Sequence, residues 1–251
     1  MAFSLFPMLS QSAIFALTIH GGDRLRRLYL DKLVSGQWTG TMDLTESHAG
    51  SDVGALKTKA LPDGDHYRIV GEKIFITYGD HDLAENILHM VLARTPGAPA
   101  GVRGISLFLV PKFLVDDDGV PGALNDLRCV SLEHKLGINA SPTAVMVYGE
   151  HGGARGWLVG AENHGMEYMF TMMNDARMAV GIGGLGIAVR AYQGALTYAR
   201  TRIQGRRDGA PAANIELPDA LRMPRVITAR IAAIGGPSCG ERLWSTEVAV
   251  S

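Results

Sequence analysis

The sequence is poor in cysteine, and that scarcity limits the classes of protein to which it can belong. Its two cysteines, Cys129 and Cys239, lie far apart and lack the spacing of metal ligands. This argues against a disulfide-stapled secreted domain and favours a reducing compartment, so we expect a cytoplasmic location. Neither cysteine has a nucleophile-like setting, and we interpret both as small buried hydrophobic residues.

Excess charge and long apolar runs are missing as well. The formal net charge is −1 over 251 residues, which gives no support for a protein that binds nucleic acid electrostatically. No stretch of about 18 uncharged apolar residues occurs, so we expect no membrane span. The eight histidines have no i,i+4 or cysteine-paired spacing, and we expect no metal site.

The pattern of apolar residues changes twice along the chain. In residues 1–37, apolar residues recur at helical spacing and Gly21-Gly22 interrupts them, which predicts two short helices. Residues 38–160 contain short β-branched and aromatic runs between turn residues, typical of an antiparallel sheet, sandwich or barrel. Residues 161–251 are helical again. The order predicts an α+β fold with these three parts as its domains.

The last part predicts a long helix and a shorter one. Helical spacing of apolar residues extends from Met166 to Arg206, and a second helix is predicted over 220–234 with Pro224 near its start. The segment 181–186, GIGGLG, could be mistaken for a dinucleotide loop. Because it neither follows a strand nor opens a helix, we interpret it as a site of close helix packing.

The most distinctive stretch, from Thr41 to Gly54, reads TMDLTESHAGSDVG. It ends a strand-like run and enters a turn at Gly50, where glycine permits close backbone approach to a ligand and Thr45 and Ser51 offer hydroxyls. Such a turn can hold a polar ring edge or a phosphate. Composition alone favours the alternative, an ordinary turn between two strands.

A second stretch, from Gly71 to Asp80, reads GEKIFITYGD. Alternation along a strand predicts Ile74 and Ile76 on one face and Phe75 and Thr77 on the other. An aromatic ring and a hydroxyl on one face can stack on a flat heterocycle and hydrogen-bond to it. Taken alone, the pair is better interpreted as cross-strand packing.

Together the two stretches resemble the paired flavin-binding motifs of acyl-CoA dehydrogenases. Thr-Glu-x-x-Ala-Gly-Ser-Asp is followed about 20 residues later by Gly-x-Lys-x-Phe-Ile-Thr. The segments 174–177, NDAR, and 198–204, YARTRIQ, are similar to the third and fourth motifs of that family, in the same order. The segments 82–89, 110–115 and 133–143 most resemble the subgroup that includes 3-methylmercaptopropionyl-CoA dehydrogenase-like proteins.

The resemblance implies a partial N-terminal helical domain, a central antiparallel β-barrel and a partial C-terminal helical bundle around FAD, truncated at both ends. Thr45 and Thr77 would hold the isoalloxazine edge, and Met42, Leu44 and Phe75 would line the ring. Ser51 would lie near the FAD pyrophosphate and the CoA thioester arm. The implied cofactor positions in these two motifs are Met42, Leu44, Thr45, Gly50, Ser51, Phe75, Ile76 and Thr77.

The third and fourth motifs imply further contacts. Arg202 and Gln204 match positions that reach the FAD of a neighbouring subunit, which implies a homodimer or tetramer. The alternative for Arg202 is a solvated cation at a helix end. Asn174 and Arg177 match positions that border the acyl-CoA cavity, where Ser51 would also contact the substrate. The alternative for Arg177 is a buried ion pair with Asp175 or Glu167.

The sequence departs from the family where the reaction needs a base. Removal of the α-proton of an acyl-CoA requires a carboxylate over the substrate, usually a glutamate on a late helix of the bundle. The late glutamates Glu216, Glu241 and Glu247 have no such context, so the catalytic residue is unknown and we expect the base to be absent. The implied function is FAD-dependent α,β-dehydrogenation of an acyl-CoA, with electrons passing to an electron-transfer acceptor protein.

Two alternatives remain open. In the first, the chain is a non-catalytic remnant that binds FAD or a partner subunit. In the second, it is an oxidase-like member of the family that uses dioxygen as the acceptor.

Overall fold

The computed structural model describes residues 2–235, so that Cys239, Glu241 and Glu247 lie outside the described residues. The chain divides into two compact units, Met1–Arg177 and Met178–Ser251. Among the described residues, no helix is long and apolar enough to cross a membrane.

The first unit begins with the two helical stretches that the sequence predicts. Helix α1 spans Leu5–His20 and buries a stripe of apolar and small residues. Gly21 ends it in an extended conformation, and its N–H donates to the Leu17 carbonyl at 2.9 Å. The second stretch consists of α2 (Asp23–Leu25), a π-helical turn (Arg26–Leu30) and α3 (Asp31–Val34).

Ten strands follow, and eight of them form one sheet. The strands are β1 (Trp38–Asp43), β2 (Lys59–Asp63), β3 (His66–Thr77), β4 (Asn86–Ala93), β5 (Ser106–Pro111), β6 (Phe113–Val115), β7 (Pro121–Leu124), β8 (Leu127–Leu132), β9 (Thr143–Tyr148) and β10 (Ala154–Leu158). The order in the sheet is β1-β4-β5-β10-β3-β9-β8, with β2 paired to β3, while β6 and β7 form a separate hairpin.

The prediction of an antiparallel sheet is wrong for one pair of strands. Strands β1 and β4 are parallel, with Trp38 opposite Asn86 and Asp43 opposite Val91, whereas the other pairs in the sheet are antiparallel. Parallel neighbours need a long crossover, and here the chain between them includes β2 and β3. The sheet is therefore mixed.

Strand β4 divides the hydrophobic core because successive side chains point to opposite faces. Leu88 and Met90 belong to a cluster that also contains Trp38 and residues of α1. Val91 and Ala93 belong to a second cluster, built with residues of β3, β5 and β9. All residues of β4 are buried, and this strand fixes the position of β1 beside it.

The long helix α4 spans Gly165–Thr201, and the 181–186 segment lies inside it, so that segment is not a dinucleotide loop. The prediction of helix up to Arg206 is wrong, because the chain turns into a hairpin of β11 (Ile203–Arg207) and β12 (Ala210–Ala213). The last helix, α5, spans Pro218–Gly235. It begins earlier than predicted, since proline is favoured in a first helical turn, and Pro224 therefore lies inside it.

Candidate functional site

The first two sequence motifs are neighbours in the fold. The N–H of Ile74 in β3 donates to the carbonyl of Thr45, just after β1, at 2.8 Å. The Lys73 ammonium donates to the carbonyl of Leu44 at 2.9 Å. The two stretches that resemble the paired motifs are thus hydrogen-bonded to each other.

The turn of the first motif is closed by its own backbone. The N–H of Glu46 donates to the Ala49 carbonyl at 3.2 Å, and the reverse bond measures 3.0 Å. Gly50 and Ser51 follow and are exposed. A Cβ on Gly50 would lie 4.0 Å from the Thr45 methyl group, an ordinary contact. Packing within the chain therefore does not require glycine here, and its effect is to leave the backbone beside Thr45 open.

The predicted alternation along β3 fails at Phe75. The register with β9 shifts between Lys73 and Ile76, and Phe75 has a φ of 62°. A positive φ is strained for an aromatic residue and persists only where the surroundings impose it. The bulge leaves the Phe75 side chain 57% exposed, whereas Ile76 is 1% exposed in the core. Ile76, which was expected to contact the cofactor, is therefore buried in the core.

Three hydroxyls of the motifs bond to no protein group that the structure describes. Within residues 2–235, the side chains of Thr45, Ser51 and Thr77 make no hydrogen bond. Thr45 and Thr77 are half-buried and Ser51 is exposed. Met42 and Leu44 are half-buried and pack against the core cluster on the α1 side of the sheet. The site therefore combines an apolar floor, free hydroxyls and one exposed aromatic ring.

Asn174 and Arg177 lie close together on α4, and both are exposed. The Arg177 guanidinium donates to the Asn174 side-chain oxygen at 3.3 Å and lies 5.7 Å from the ring centre of Phe170. The alternative of a buried ion pair with Asp175 or Glu167 is wrong, because Arg177 is exposed and pairs with neither carboxylate among the described residues. Asp175 instead accepts bonds from the side chains of two α1 residues, Gln11 and Ser12.

Arg202 and Gln204 belong to the second unit, and both side chains are exposed. The backbone of Arg202 connects the end of α4 to the hairpin, since its N–H donates to Tyr198 and its carbonyl accepts from Asn214, each at 2.8 Å. A groove of about 620 Å³ lies in the same unit. Four arginines among its lining residues were missed by sequence reasoning: Arg206, Arg207, Arg222 and Arg225.

Comparison with known proteins gives consistent results. The family model "Acyl-CoA dehydrogenase, middle domain" matches residues 41–150. The 3-methylmercaptopropionyl-CoA dehydrogenase of Ruegeria pomeroyi is 56% identical over 230 residues, covering 89% of this chain and 38% of that protein. A butyryl-CoA dehydrogenase of Syntrophomonas wolfei is 41% identical over 230 residues, covering 87% and 38%. The structure of Caenorhabditis elegans ACDH-11 in complex with C11-CoA matches with a TM-score of 0.73 and 27% identity, covering 91% of this chain and 38% of that one.

The chain belongs to the acyl-CoA dehydrogenase family. It spans 38% of the length of the two curated relatives named above. The Ruegeria relative carries the name of the subgroup that the sequence most resembles, which confirms that prediction.

A buried polar network holds β1 of this family member against β4 and β9. The Asp43 carboxylate accepts bonds from the Thr41 hydroxyl, at 2.5 Å, and from the Tyr148 hydroxyl. The His89 Nδ1 lies 2.9 Å from the Thr41 oxygen. Burial, together with the neighbouring carboxylate, raises the pKa of Tyr148 well above its ordinary value. The phenol therefore stays protonated and remains a donor to Asp43.

Sequence reasoning also missed an arginine that organises the loop after Ser51. The Arg94 guanidinium donates to four backbone carbonyls, those of Gly54, Leu56, Pro99 and Gly101. It thereby joins the 3₁₀ turns Val53–Ala55 and Gly101–Gly104. A strand-ending arginine before a proline-rich loop is a weak signal, because nothing local in sequence indicates which carbonyls it binds.

The same region of the first unit contains a cavity of about 560 Å³. Its lining is mainly apolar but includes Lys57 and Lys59, together with Arg94 and Thr95. Among the described residues, no group of three or more histidine, cysteine or carboxylate side chains is arranged to hold a metal ion. The chemistry that these surfaces offer is therefore stacking, hydrogen bonding and pairing with anions.

Two further predictions concern Cys129 and Glu216. Cys129 is only half-buried, so its interpretation as a buried hydrophobic residue is wrong, and partial burial raises its thiol pKa. The Glu216 carboxylate accepts a bond from the Ala213 N–H at 3.3 Å, which closes the turn before α5.

Proposed function

We propose that this chain forms the FAD-contacting part of an enzyme that oxidises the Cα–Cβ bond of an acyl-CoA. The observation that carries the proposal is the combination of the Thr45 and Thr77 hydroxyls, which have no partner among residues 2–235, and the exposed ring of Phe75 on a strained bulge. Strain of this kind clusters at functional sites. When bound, FAD would supply the acceptor for the hydride that leaves the β-carbon of the substrate.

Each residue would have a separate role towards the flavin. The Thr45 and Thr77 hydroxyls would donate to polar atoms on the edge of the ring system, where donors stabilise the negative charge of the reduced ring. Phe75 would cover one part of the ring, with Met42 and Leu44 as the apolar floor. The open backbone at Gly50 would allow the cofactor to approach.

The remaining motif residues would bind anionic groups. The exposed guanidinium of Arg202 suits a diphosphate, which arginine recognises through paired, charge-assisted hydrogen bonds, and Gln204 would assist it. This diphosphate would belong to the FAD of a second copy of the chain, so the proposed assembly is a homodimer or tetramer.

The acyl-CoA would lie near Ser51, Asn174 and Arg177. The cavity lined by Lys57 and Lys59 has positive charge that would pair with the phosphates of CoA. The electrons would leave to an electron-transfer acceptor protein.

Two carboxylates with local structural roles limit what the chain does by itself. Glu46 is 4% exposed and accepts four hydrogen bonds, and Glu216 closes a turn. Both oxygens of Glu46 are hydrogen-bonded inside the protein, and Glu216 closes its turn through one oxygen, so neither has the setting of a base held over a substrate. We therefore propose that the chain alone binds FAD but does not turn over acyl-CoA.

The test is a titration of the purified chain with FAD, followed by flavin absorbance. The double variant Thr45→Val with Thr77→Val should bind FAD at least tenfold more weakly, because two hydrogen bonds of about 1 kcal/mol each are lost. Thr18→Val, at an exposed position on α1, is the matched control and should bind normally. A folded wild-type chain that does not bind FAD would exclude the proposed function.

Turnover is tested separately. The FAD-loaded chain is mixed anaerobically with butyryl-CoA and a dye acceptor, and we expect no reduction of the dye. Reduction would show that a base is present in the chain and would overturn the proposal that the chain alone does not turn over acyl-CoA.

A further inference from the structure

The two flavin motifs contain charged residues that face into the protein, away from solvent. Glu46 is 4% exposed and Lys73 is fully buried, and their charged groups lie 2.9 Å apart. Isolated charges are rarely buried, because desolvation is unfavourable unless a partner and hydrogen bonds compensate for it. The burial of this ion pair within the motifs therefore needs a physical explanation.

The Glu46 carboxylate joins three segments of the chain. It accepts bonds from the Lys57 N–H at 2.7 Å, the Thr58 N–H at 3.1 Å, the Thr58 hydroxyl at 2.6 Å and the Lys73 ammonium at 2.9 Å. Both oxygens are occupied, one by Lys57 and the other by Thr58 and Lys73. The turn of the first motif, the residues just before β2 and the middle of β3 thus meet at one carboxylate.

Gly71 makes this arrangement possible. A Cβ at position 71 would lie 2.4 Å from the Thr58 hydroxyl oxygen and 2.9 Å from the Thr58 Cα, distances that real Cβ atoms do not adopt. The absent side chain lets Thr58 sit against β3 and donate to Glu46. The glycine and the lysine of Gly-x-Lys are therefore parts of a single packing unit.

Thr45 lies between the fixed points of this unit. On its N-terminal side the Leu44 carbonyl accepts from Lys73 at 2.9 Å, and on its C-terminal side stands Glu46. Its own carbonyl accepts from Ile74 at 2.8 Å. The backbone around Thr45 is thus tied to β3 on both sides, while its hydroxyl bonds to no protein group among residues 2–235.

We propose that Glu46 and Lys73 are positioning residues that hold Thr45 in the orientation in which its hydroxyl meets the cofactor. This inference rests on the proposed function, since it concerns the same site. Neither residue is expected to touch the flavin. The pair acts through the backbone of the turn, and its loss should weaken cofactor binding without removing any group that contacts the cofactor.

The discriminating variant is the double substitution Glu46→Gln with Lys73→Met. Each single substitution leaves one buried group without its partner, and the Lys73→Met chain in particular is expected to fold poorly. The double variant leaves neither member of this pair as an unpaired buried charge, so its melting temperature should return to within about 3 °C of the wild-type value. Its turn, however, is no longer tied to β3 by the lysine.

Two measurements on the double variant test the proposal. FAD should bind about tenfold more weakly than to the wild type, although stability is restored. The amide of Ile74 should exchange its hydrogen at least about tenfold faster in the flavin-free chain, because its acceptor at Thr45 is no longer fixed. The control removes an exposed ion pair of the same unit, Arg128→Met with Glu150→Gln, and should change neither quantity.

The outcomes separate this inference from the proposed function. Wild-type FAD affinity in the stable double variant would show that the pair serves stability alone and would overturn the inference. If the wild-type chain binds no FAD, the proposed function fails, and the exchange rate of Ile74 still decides whether the pair positions the turn. Unchanged exchange would overturn the positioning role by itself.

Discussion

Gly71 shows how one missing side chain allows a buried carboxylate to be satisfied. Thr58 fills the space beside this glycine and donates to Glu46 through both its hydroxyl and its N–H. A buried carboxylate that loses a donor retains the full cost of desolvation. A substitution at position 71 therefore disturbs hydrogen bonds that the glycine does not itself make.

We expect Gly71→Ala to destabilise the protein by about 1–3 kcal/mol, because the new methyl group displaces Thr58 from β3. Urea denaturation followed by circular dichroism measures the change. The matched control is Gly22→Ala, at a position with an ordinary φ of −70° and no atom within 4 Å of the added Cβ. Equal stability of the two variants would contradict the prediction.

Single residues also show what the sequence could and could not predict. Thr45 and Thr77 were identified from the motif, and their hydroxyls make no hydrogen bond to the part of the chain that the structure describes. The bulge at Phe75 was not predicted, since alternation is a rule for regular strands and the shift arises from pairing with β9. Lys73 had a usable signal. Side chains four residues apart on a strand point to the same face, so Lys73 shares the core face with the buried Ile69. A lysine in the core needs a carboxylate partner.

At the scale of elements, the Arg94 side chain connects two short turns through hydrogen bonds. Its guanidinium bonds to carbonyls on both sides of the loop, among them Gly54 at 2.5 Å and Gly101 at 2.7 Å. A planar group with five donors can bridge carbonyls that a lysine ammonium cannot reach together.

Arg94→Lys should therefore destabilise the loop after Ser51, with a loss of about 1–3 kcal/mol from carbonyls left without donors. Hydrogen exchange at the amides of Leu56 and Ile105, which close the two turns, measures the effect locally. Arg155→Lys is the control, because the Arg155 side chain is exposed and makes no hydrogen bond among the described residues. The prediction fails if the two variants exchange alike.

The hairpin after α4 was missed although the sequence contained its signal. Asp208 and Gly209 both have positive φ, 51° and 84°, as a two-residue hairpin turn requires. The dipeptide Asp-Gly is a strong hairpin signal, but the arginine-rich run before it was interpreted as the end of a helix. The parallel pairing of β1 with β4 had no local signal, because it depends on how the intervening strands pack.

At the scale of the whole molecule, the buried pair makes stability depend on pH. Burial by itself would raise the pKa of Glu46, but the Lys73 ammonium and the bonds from Thr58 and Lys57 outweigh it and hold the pKa below its ordinary value of 4.5. A carboxyl group with a lowered pKa in the folded state stabilises the fold above its unfolded pKa. That contribution is lost as the pH falls through the lower, folded value.

Glu46→Gln should be less stable than the wild type at pH 7 by about 3 kcal/mol, because it leaves Lys73 without its counter-charge. The difference should shrink as the pH falls below 4.5, where the wild-type carboxylate becomes protonated. Unfolding curves at several pH values test this, with Glu72→Gln, an exposed position on β3 next to Lys73, as the control. A difference that stays constant down to pH 3 would contradict it.

The order of helical, β and helical regions was predictable from periodicity, because each region is long enough to show its own repeat. The division of the chain inside α4, at Arg177, was not predictable, since the helix continues through it without a break in pattern.

The contact between positions 58 and 71 has a consequence for how this protein varies among its relatives. A relative that acquires a side chain at the position of Gly71 should lose stability unless residue 58 becomes smaller and its backbone moves away from β3, and its glutamate then loses a hydroxyl donor. The two positions should change together in an alignment, and changes at one alone should be rare.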